Sequence, residues 1–419
     1  MVARTDYIEC QFHRFDSDKK SRCLFCDINL KQYPNGCPSC IDLPTVSALL
    51  DEDAKKSREI YRKEIREMLA AGQASLALGA GISIPMRMPN WLGLISKMAG
   101  YAQQYVDYSD DTLKYSEDIR YLRTVLEQEL ATGNLTLFNG VNVLESGQSV
   151  QALLKETLSI IIEQSLTPAQ WIDEKWKKSY PTLGHPKDHQ VLAAEHNSLC
   201  AVAYLLCADH GFRRAMTYNF DTLVQEFLID IFKVSPNEIF THPGAWSDCP
   251  RENVSDPIDI YHVHGCIPRR VSLQKPSCAF PRESDQIILT ESSYYNTEQA
   301  WAYNWQNSIQ SYYLNRDSCV FVGFSADDYN FRRILKHLQV GTHPKHYLIL
   351  TIDNVAKETW AAVCHRHLFS NTSQKDIQKE ALHLLKIQLD MKSEYWKNKN
   401  FYPIWVTVND IPKFLLSLV

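Results

Sequence analysis

The turn GAGIS, from Gly79 to Ser83, has the residue types of a phosphate-binding turn. It follows the apolar run 74–78 and precedes a segment with helical character. Glycines at a strand-to-helix turn let backbone N–H groups approach a diphosphate, and the N-terminal end of a following helix favours an anion. The motif has low specificity on its own, because Ile84 occupies the place of the third glycine in the GxGxxG dinucleotide fingerprint. The alternative is a turn with a purely structural role.

Three further polar motifs follow apolar, strand-like runs later in the chain. They are TYNFD at residues 217–221, VHG at 263–265 and VGFSADD at 322–328. In an open parallel sheet, ligands bind at the carboxyl ends of the strands, so motifs that are distant in sequence can meet in one crevice. We therefore expect these three motifs and GAGIS to line a single binding site.

In this order, the four motifs resemble those of the sirtuin superfamily, whose NAD-binding domain carries a GAG-S turn, an NxD motif, an HG motif and a late GxS motif. The segments LGAGISIPMRMPNWLGLI, TYNFDTLVQEFL, ILTESSYY and GFSADDYNFRRIL are most similar to the sirtuin-like domains of bacterial antiphage defence systems. The resemblance covers roughly residues 70–410. It implies an NAD glycohydrolase that cleaves NAD to nicotinamide and ADP-ribose, and so depletes cellular NAD after phage infection.

The resemblance also implies a role for each matched residue. Asn219 would hold water or the ribose at the anomeric carbon, and His264 would contact the ribose hydroxyls and act as a general base. Asp221 would orient Asn219 or a ribose hydroxyl, or else cap the helix that follows it. Contacts with NAD are assigned to Gly79, Ala80, Gly81, Ser83, Thr217, Gly323, Ser325 and Asp328. For Asp328, an acidic residue at a helix N-terminus is the alternative.

Two departures from protein-deacylating sirtuins bear on the reaction. Those enzymes follow the HG motif with two zinc-binding CxxC pairs, whereas the next cysteines here are Cys266 and Cys278, and neither belongs to a CxxC pair. Their PDFR segment is replaced by PNW at residues 89–91. A deacylase or ADP-ribosyltransferase is therefore the second hypothesis, and a non-catalytic NAD or ADP-ribose sensor is the third. The presence of both Asn219 and His264 argues against a sensor, because binding alone does not need that pair.

The first 48 residues contain cysteine pairs with the spacing of a zinc site. The two CxxC pairs are Cys23 with Cys26 and Cys37 with Cys40. They can supply four thiolates to a tetrahedral zinc ion. Such a short segment has too little apolar area to fold without a bound metal ion that stabilises it. We expect residues 1–48 to form a zinc ribbon, with redox-active or disordered thiols as the alternatives. The CxxH pair of Cys10 and His13 either does not bind the metal or replaces one CxxC pair as its ligands.

Composition limits the classes of protein that fit the chain. Its 419 residues are 45% hydrophobic, and 44 basic against 49 acidic residues give a net charge of -5. The chain therefore lacks the overall basic character of many nucleic-acid-binding proteins, although this composition is compatible with a local basic patch that contacts nucleic acid. Because it has no signal pattern and no apolar run of roughly 18 residues, we expect a cytoplasmic protein that does not cross a membrane. Its 12 cysteines should then be thiols or metal ligands rather than disulfides.

The alternation of strand-like and helix-like segments predicts an α/β fold with a Rossmann-like parallel sheet. Strands are expected at 74–78, 215–218, 258–263, 319–322, 346–352 and 402–407, and helices at 51–71, 188–209, 221–232, 292–313, 328–339, 354–369 and 374–391. Residues 92–180 contain helical stretches near 110–131 and 149–165 but no comparable strand, which indicates a helical insertion. The chain thus divides into the segment 1–48 and a sirtuin-like, NAD-binding catalytic domain at 49–419.

An enzyme that depletes NAD needs an inactive state, because constant activity would kill its host. The defence systems that the chain resembles use homo-oligomerisation, a HerA-type ATPase partner or a sensor domain. A chain of this length has little room for a large sensor. We therefore expect a homo-oligomer or a separate partner, with the insertion and the zinc segment available for the contacts.

The purified chain should contain about one zinc ion per protomer, because four thiolates complete a tetrahedral site. Replacing one pair, by Cys37→Ser and Cys40→Ser, should abolish the bound zinc. Elemental analysis of both proteins measures the metal content. Equal contents near zero would exclude the zinc ribbon.

Overall fold

The structure, a computed structural model, describes most of the chain after residue 51, with several gaps. The described residues are 52–89, 94, 97, 148–173, 194–243, 249–251, 254–274, 277–280, 287–288, 304–324, 331–332, 334–335, 338, 344–367 and 372–419. The predicted zinc segment, the domain boundary after it and most of the predicted insertion lie outside these residues.

Seven strands form one sheet. They are β1 (Ala74–Leu78), β2 (Arg214–Thr217), β3 (Ile239–His242), β4 (Ile258–His262), β5 (Ser318–Val322), β6 (His346–Thr351) and β7 (Phe401–Val406). Their order across the sheet is β3-β4-β2-β1-β5-β6-β7. The paired strands β3 with β4, β4 with β2, β2 with β1, β1 with β5, and β5 with β6 all run parallel. The predicted Rossmann-like α/β fold is therefore confirmed.

Helices connect the strands. They are α1 (Glu52–Ala70), α2 (Gln148–Gln164), α3 (Pro168–Trp171), α4 (Ser198–Cys207), α5 (Leu223–Asp230), α6 (Arg270–Leu273), α7 (Trp305–Arg316), α8 (Ile352–Arg366), α9 (Gln374–Lys397) and α10 (Ile411–Leu416). Three short 3-10 helices lie at Ala80–Ile82, Ile84–Met86 and Val408–Asp410. Among the described residues, no helix combines the length and hydrophobicity that a membrane span requires.

The centre of the sheet is apolar on both faces. All five residues of β1 are buried, and so are all five of β5. Such continuous burial is typical of parallel strands that are covered on both sides. In the middle of β1, Leu76 lies opposite Ala215 of β2 and Val320 of β5. Strands β1 and β5 could be predicted because four of the five residues of each are apolar.

Prediction and structure differ most clearly at two elements. Strand β3 was not predicted, because it is a four-residue edge strand with the sequence IFTH and lacks a long apolar pattern. The predicted helix 188–209 is interrupted at residues 195–197, and α4 begins after Asn197. The Asn197 side chain accepts hydrogen bonds from Leu199 N at 2.9 Å and Cys200 N at 3.3 Å. This cap fixes the start of the helix.

The described residues belong to two compact units. The larger unit comprises described residues of Ile60–Leu350, Lys399–Tyr402 and Asn409–Val419. Within it, α4 packs against α5 and α10. The smaller unit comprises described residues of Thr351–Asn398 and Pro403–Val408, with residues 52–59. Its helices α8 and α9 pack through an apolar cluster formed by Ile352, Val355, Ala356 and Leu385.

Two cysteines form a disulfide, which corrects the expectation of thiols and metal ligands alone. Cys249 is bonded to Cys278, and their Cα atoms are 5.7 Å apart. The chain at Cys278 is held beside β3, because Thr241 N donates a hydrogen bond to Cys278 O at 2.9 Å. This proximity depends on the sheet and has no local sequence signal. Other cysteines of the described chain remain thiols, namely Cys200, Cys207, Cys266 and Cys319.

The turns after β1 and β5 pack backbone against backbone. Gly79 N donates to Val322 O at 2.9 Å, and Gly81 N donates to Gly323 O at 2.8 Å. A Cβ atom at Gly79 would lie 2.5 Å from Gly323 O, and one at Gly81 would lie 2.8 Å from Gly323 Cα. Gly323 has a φ of +65°, and a Cβ there would lie 2.5 Å from Ile82 N. This contact therefore requires glycine at all three positions.

Gly323→Ala should destabilise the protein more than Gly72→Ala. The two glycines have nearly equal φ angles, +65° and +66°, but a Cβ at Gly72 would meet no surrounding heavy atom within 4 Å. Gly72→Ala should therefore cost only the strain of a left-handed alanine, about 1 kcal/mol. Gly323→Ala should cost about 2 kcal/mol more, because neighbouring backbone must move. Urea unfolding of both variants measures the difference in stability. Equal losses of stability would show that the GAGIS turn and the turn at Gly323 do not constrain each other.

Candidate active site

Four neighbouring strands end at the four motifs. In the order β4-β2-β1-β5, VHG follows β4, TYNFD begins at the last residue of β2, and GAGIS follows β1. The described part of VGFSADD, VGF at residues 322–324, begins at the last residue of β5. Backbone hydrogen bonds continue between the strand ends, from Val263 N to Thr217 O at 3.1 Å and from Tyr218 N to Leu78 O at 2.9 Å. The described residues of the four motifs therefore lie at the carboxyl ends of four neighbouring parallel strands.

The side-chain amide of Asn219 is held in one orientation. Its Nδ2 atom lies 3.2 Å from both Gly79 O and Ser83 Oγ. A backbone carbonyl can only accept a hydrogen bond, so the atom that faces Gly79 O must be the amide nitrogen. The other atom, Oδ1, is buried and has no hydrogen-bond partner in the described part of the chain. Since an unpaired buried acceptor costs about 1–3 kcal/mol, Oδ1 is a candidate contact for a bound ligand.

Each carboxylate oxygen of Asp221 accepts a different hydrogen bond. Oδ2 accepts from Ser83 Oγ at 3.1 Å, and Oδ1 accepts from Leu223 N at 3.2 Å at the start of α5. Ser83 Oγ also accepts a hydrogen bond from Asn219 Nδ2, so Ser83 links Asp221 to Asn219. Asp221 thus contacts both the GAGIS turn and the start of α5, whose N-cap residue is Thr222. Burial raises the pKa of the carboxyl, and the hydrogen bonds from Leu223 and Ser83 oppose this rise.

The GAGIS turn uses most of its polar hydrogens within the protein. Backbone N–H groups bond to carbonyls of the same turn or of the neighbouring β5 end at Gly79, Gly81, Ile82 and Ser83. The Ser83 hydroxyl donates its hydrogen to Asp221. Ala80, in contrast, is exposed. Of the four residues predicted to bind a diphosphate here, Ala80 is therefore the most accessible to an anion.

The segment after this turn differs from the prediction. Two 3-10 helices follow, Ala80–Ile82 and Ile84–Met86, where an α-helix was expected. Arg87 has a left-handed φ of 65° and ends the second of them. Within the described residues 79–89, no α-helix therefore directs its N-terminal end at an anion bound to the turn.

His264 lies beside aromatic rings of the TYNFD motif. It is 1% exposed, and its ring centroid is 5.2 Å from that of Tyr218, edge-on, and 6.3 Å from that of Phe220. Its backbone carbonyl accepts a hydrogen bond from Ile288 N at 2.9 Å. Tyr218 is itself fixed, since its hydroxyl donates to Gln310 Oε1 at 2.9 Å. This packing restricts rotation of the imidazole.

The remaining predicted site residues fall into two groups. Thr217 and Gly323 lie within the network, because Thr217 Oγ1 accepts a hydrogen bond from Asn219 N at 3.1 Å and Gly323 packs against the GAGIS turn. The others lie outside the described residues, namely Ser325, Asp328, Cys23, Cys26, Cys37 and Cys40. Within the described ranges, no group of three or more His, Cys, Asp or Glu side chains could hold a metal ion.

Two residues of this network were missed by the sequence motifs. His262 Nδ1 lies 3.0 Å from Asn219 O, and His262 Nε2 lies 2.9 Å from Gln225 Nε2. Burial lowers the pKa of His262 to about 4, against the opposing effect of the hydrogen bond to Asn219, and the charge of His242 lowers it further. The available sequence signal is the HxH spacing with His264 at the end of β4.

A buried ion pair lies close to Asp221. Arg269 Nε is 3.0 Å from both carboxylate oxygens of Glu226, and each of the two side chains is 6% exposed. The Arg269 guanidinium also donates to Ser165 Oγ at 2.6 Å and to Leu166 O at 3.0 Å. Burial raises the pKa of Glu226 to about 7, and the positive charge of Arg269 opposes this rise.

Comparison with known families supports the resemblance over part of the chain. Residues 213–368 match the SIR2-like domain. The match includes the TYNFD, VHG and VGFSADD motifs, whereas GAGIS precedes it. It supports a place in the sirtuin-like superfamily for this region and, broadly, an activity that involves NAD. No curated protein matches the chain.

Acidification from pH 6.5 to pH 4 should destabilise the protein through His262. The side chain titrates near 6.5 when unfolded and near 4 in the folded state. The unfolded state therefore binds more protons in this window, and the contribution of His262 to stability rises with pH across it. Between pH 7 and pH 5 this contribution should fall by about 2 kcal/mol.

His262→Asn provides the control, because asparagine does not titrate. Glu226 acts in the opposite direction, since its folded pKa is raised from 4.5 to about 7 and the folded state binds more protons over that range. This contribution is common to both proteins and cancels in their difference. Urea unfolding at pH 5 and pH 7 gives the stability difference between wild type and variant. A difference that does not change with pH would show that His262 is not held neutral.

Proposed function

We propose that this protein is an NAD glycohydrolase, which cleaves NAD to nicotinamide and ADP-ribose. The match to the SIR2-like domain supports NAD as the substrate. The observation that carries the proposal is the buried oxygen Asn219 Oδ1, which has no partner among the described residues. The nitrogen of the same amide already donates hydrogen bonds to Gly79 O and Ser83 Oγ. The site thus offers a neutral acceptor in a fixed direction.

The reaction requires such an acceptor. Hydrolysis breaks the bond between the ribose C1′ and the nicotinamide nitrogen, and the bonding electron pair leaves with neutral nicotinamide. The leaving group needs no proton, so the enzyme must stabilise an oxocarbenium-like ribose and direct water at C1′. In this proposal Asn219 Oδ1 accepts a hydrogen bond from that water. As the water oxygen bonds to C1′, its proton passes to His264 as the general base.

Asp221 and Ser83 act indirectly in this scheme. The Ser83 hydroxyl donates to Asp221 and accepts from Asn219 Nδ2. This arrangement keeps the amide nitrogen of Asn219 turned away from the substrate. A nitrogen in the place of Oδ1 could not accept a hydrogen bond from water. For binding, we assign the diphosphate to the exposed residue Ala80. The adenosine-side ribose is assigned to Gly323, Ser325 and Asp328 by resemblance.

The cysteines after the HG motif favour hydrolysis over lysine deacylation. Deacylating sirtuins hold a zinc ion there with two CxxC pairs. In this chain, Cys278 is bonded to Cys249, and Cys266 is a buried thiol. A zinc ligand must be a thiolate, so the disulfide removes Cys278 as a ligand. These cysteines therefore provide no equivalent of that zinc module.

We further propose that the enzyme depletes NAD in antiphage defence, in the cytoplasm, and that homo-oligomerisation or a HerA-type ATPase partner restrains it. The motif resemblance supports this setting, and the cost of uncontrolled NAD loss to the host supports a restraint. The proposed zinc segment 1–48 and the insertion 92–180 are the regions assigned to these contacts.

Incubation of the purified protein with NAD should release nicotinamide and ADP-ribose in equal amounts, resolved by chromatography. Asn219→Ala and His264→Ala should each lower the rate at least about a hundredfold, because one removes the acceptor and the other the base. Asn304→Ala is the matched control. Asn304 caps α7 by accepting a hydrogen bond from Asn307 N at 3.0 Å, so its loss should cost about 1 kcal/mol of stability without loss of turnover.

Four outcomes would contradict parts of these proposals. Formation of O-acyl-ADP-ribose with an acylated lysine peptide would indicate a deacylase, and NAD binding without any product would indicate a sensor. Undiminished turnover in Asn219→Ala or His264→Ala would remove that residue from the mechanism. Light scattering across a dilution series, run beside the same assay, addresses the restraint. Full activity of a dilute monomer without a partner would exclude it.

A further inference from the structure

We infer that His262, held in one tautomer by Gln225, positions the main chain of Asn219 and thereby sets the direction of Asn219 Oδ1. The inference rests on the proposed function, which gives this oxygen its role. It adds two positioning residues that the four motifs do not assign.

The hydrogen-bond directions around His262 follow from one carbonyl group. Asn219 O can only accept, so His262 Nδ1, 3.0 Å away, must carry the hydrogen. In a neutral imidazole the other nitrogen, Nε2, is then an acceptor. It lies 2.9 Å from Gln225 Nε2, which donates to it. His262 is 0% exposed, so bulk water does not compete for either nitrogen.

Gln225 is fixed from its other side. Its Nε2 atom also donates to Thr241 Oγ1 at 3.1 Å, and the Thr241 hydroxyl donates to Ala279 O at 2.8 Å. Because Ala279 O can only accept, Thr241 has already used its hydrogen and must receive one from Gln225. The flipped amide would place an oxygen there and is excluded. The whole chain of bonds therefore requires one tautomer of His262.

Asn219 is held at each of its polar atoms except Oδ1. Its N donates to Thr217 Oγ1 at 3.1 Å, its O accepts from His262 Nδ1 at 3.0 Å, and its Nδ2 donates to Gly79 O and Ser83 Oγ. Loss of the His262 bond would free the peptide that follows Asn219 and let Oδ1 change direction. The GAGIS turn, where the diphosphate is proposed to bind, would keep its own bonds. The rate of cleavage should therefore suffer more than NAD binding.

The matched variants His262→Asn and His262→Gln test this inference. The amide nitrogen of asparagine can take the place of Nδ1 and still donate to Asn219 O, whereas the amide of glutamine reaches the place of Nε2. His262→Gln should lower kcat for NAD cleavage at least about tenfold and leave KM within about twofold, while His262→Asn should keep kcat within about threefold. Equal losses of kcat in the two variants, or full kcat in His262→Gln, would overturn the inference.

Nuclear magnetic resonance of 15N-labelled protein gives a readout that does not depend on turnover. At pH 7, His262 should have a protonated Nδ1 and an unprotonated Nε2. The side-chain amide signal of Asn219, assigned with Asn219→Ala, should keep its position in His262→Asn and move in His262→Gln. A protonated Nε2, or an unmoved amide signal in His262→Gln, would overturn the inference.

These signals separate the inference from the proposed function. If the wild-type protein does not cleave NAD, the proposed function fails, while the two signals still decide whether His262 positions Asn219. If His262→Gln does not fold, Gln225→Met replaces it, because methionine keeps the approximate volume and removes the donor to Nε2. The same Asn219 signal should then move, and an unchanged signal in a folded Gln225→Met protein would count against the inference.

Discussion

The packing of the turns after β1 and β5 determines where the other groups of the candidate site can lie. At Gly79, Gly81 and Gly323 the absence of side chains lets the two backbones approach to hydrogen-bonding distance. This contact folds the GAGIS turn over the end of β5 and brings Ser83 to Asn219. A side chain at any of the three glycines would push the turns apart. The glycines therefore serve the packing of the protein itself, in addition to any approach of a ligand.

Gly79 joins this packing constraint to the chemistry of the site. No Cβ fits between it and Gly323, and its carbonyl, held in place by that contact, accepts a hydrogen from Asn219 Nδ2. The oxygen of the amide is turned away from the network as a result. His262 has a similar effect on the main chain of Asn219. The direct hydrogen-bond partners of Asn219 are thus uncharged groups, and the buried carboxyl of Asp221 reaches the amide only through Ser83.

The sheet and the position of the motifs at its strand ends could be predicted because β1, β2, β4 and β5 are short segments that contain apolar residues and lead directly into the four motifs. The role of Gly79 was predicted only in part, since its contact with Gly323 is not visible locally. His262 was missed because it lies within the strand, and its partners Asn219 and Gln225 are 43 and 37 residues away. Such distances are closed by the order of the strands, which no local pattern encodes.

The ion pair between Arg269 and Glu226 changes how the predicted insertion must be understood. Glu226 lies in the first turn of α5, the helix whose start is bonded to Asp221. Arg269 pairs with it and also holds residues 165–166, just beyond the end of α2. Breaking a buried pair of this kind costs about 3–5 kcal/mol, because a charge is left uncompensated. The chain at the end of α2, which belongs to the predicted insertion, is therefore fixed to the helix that follows Asp221 and forms part of the framework of the candidate site.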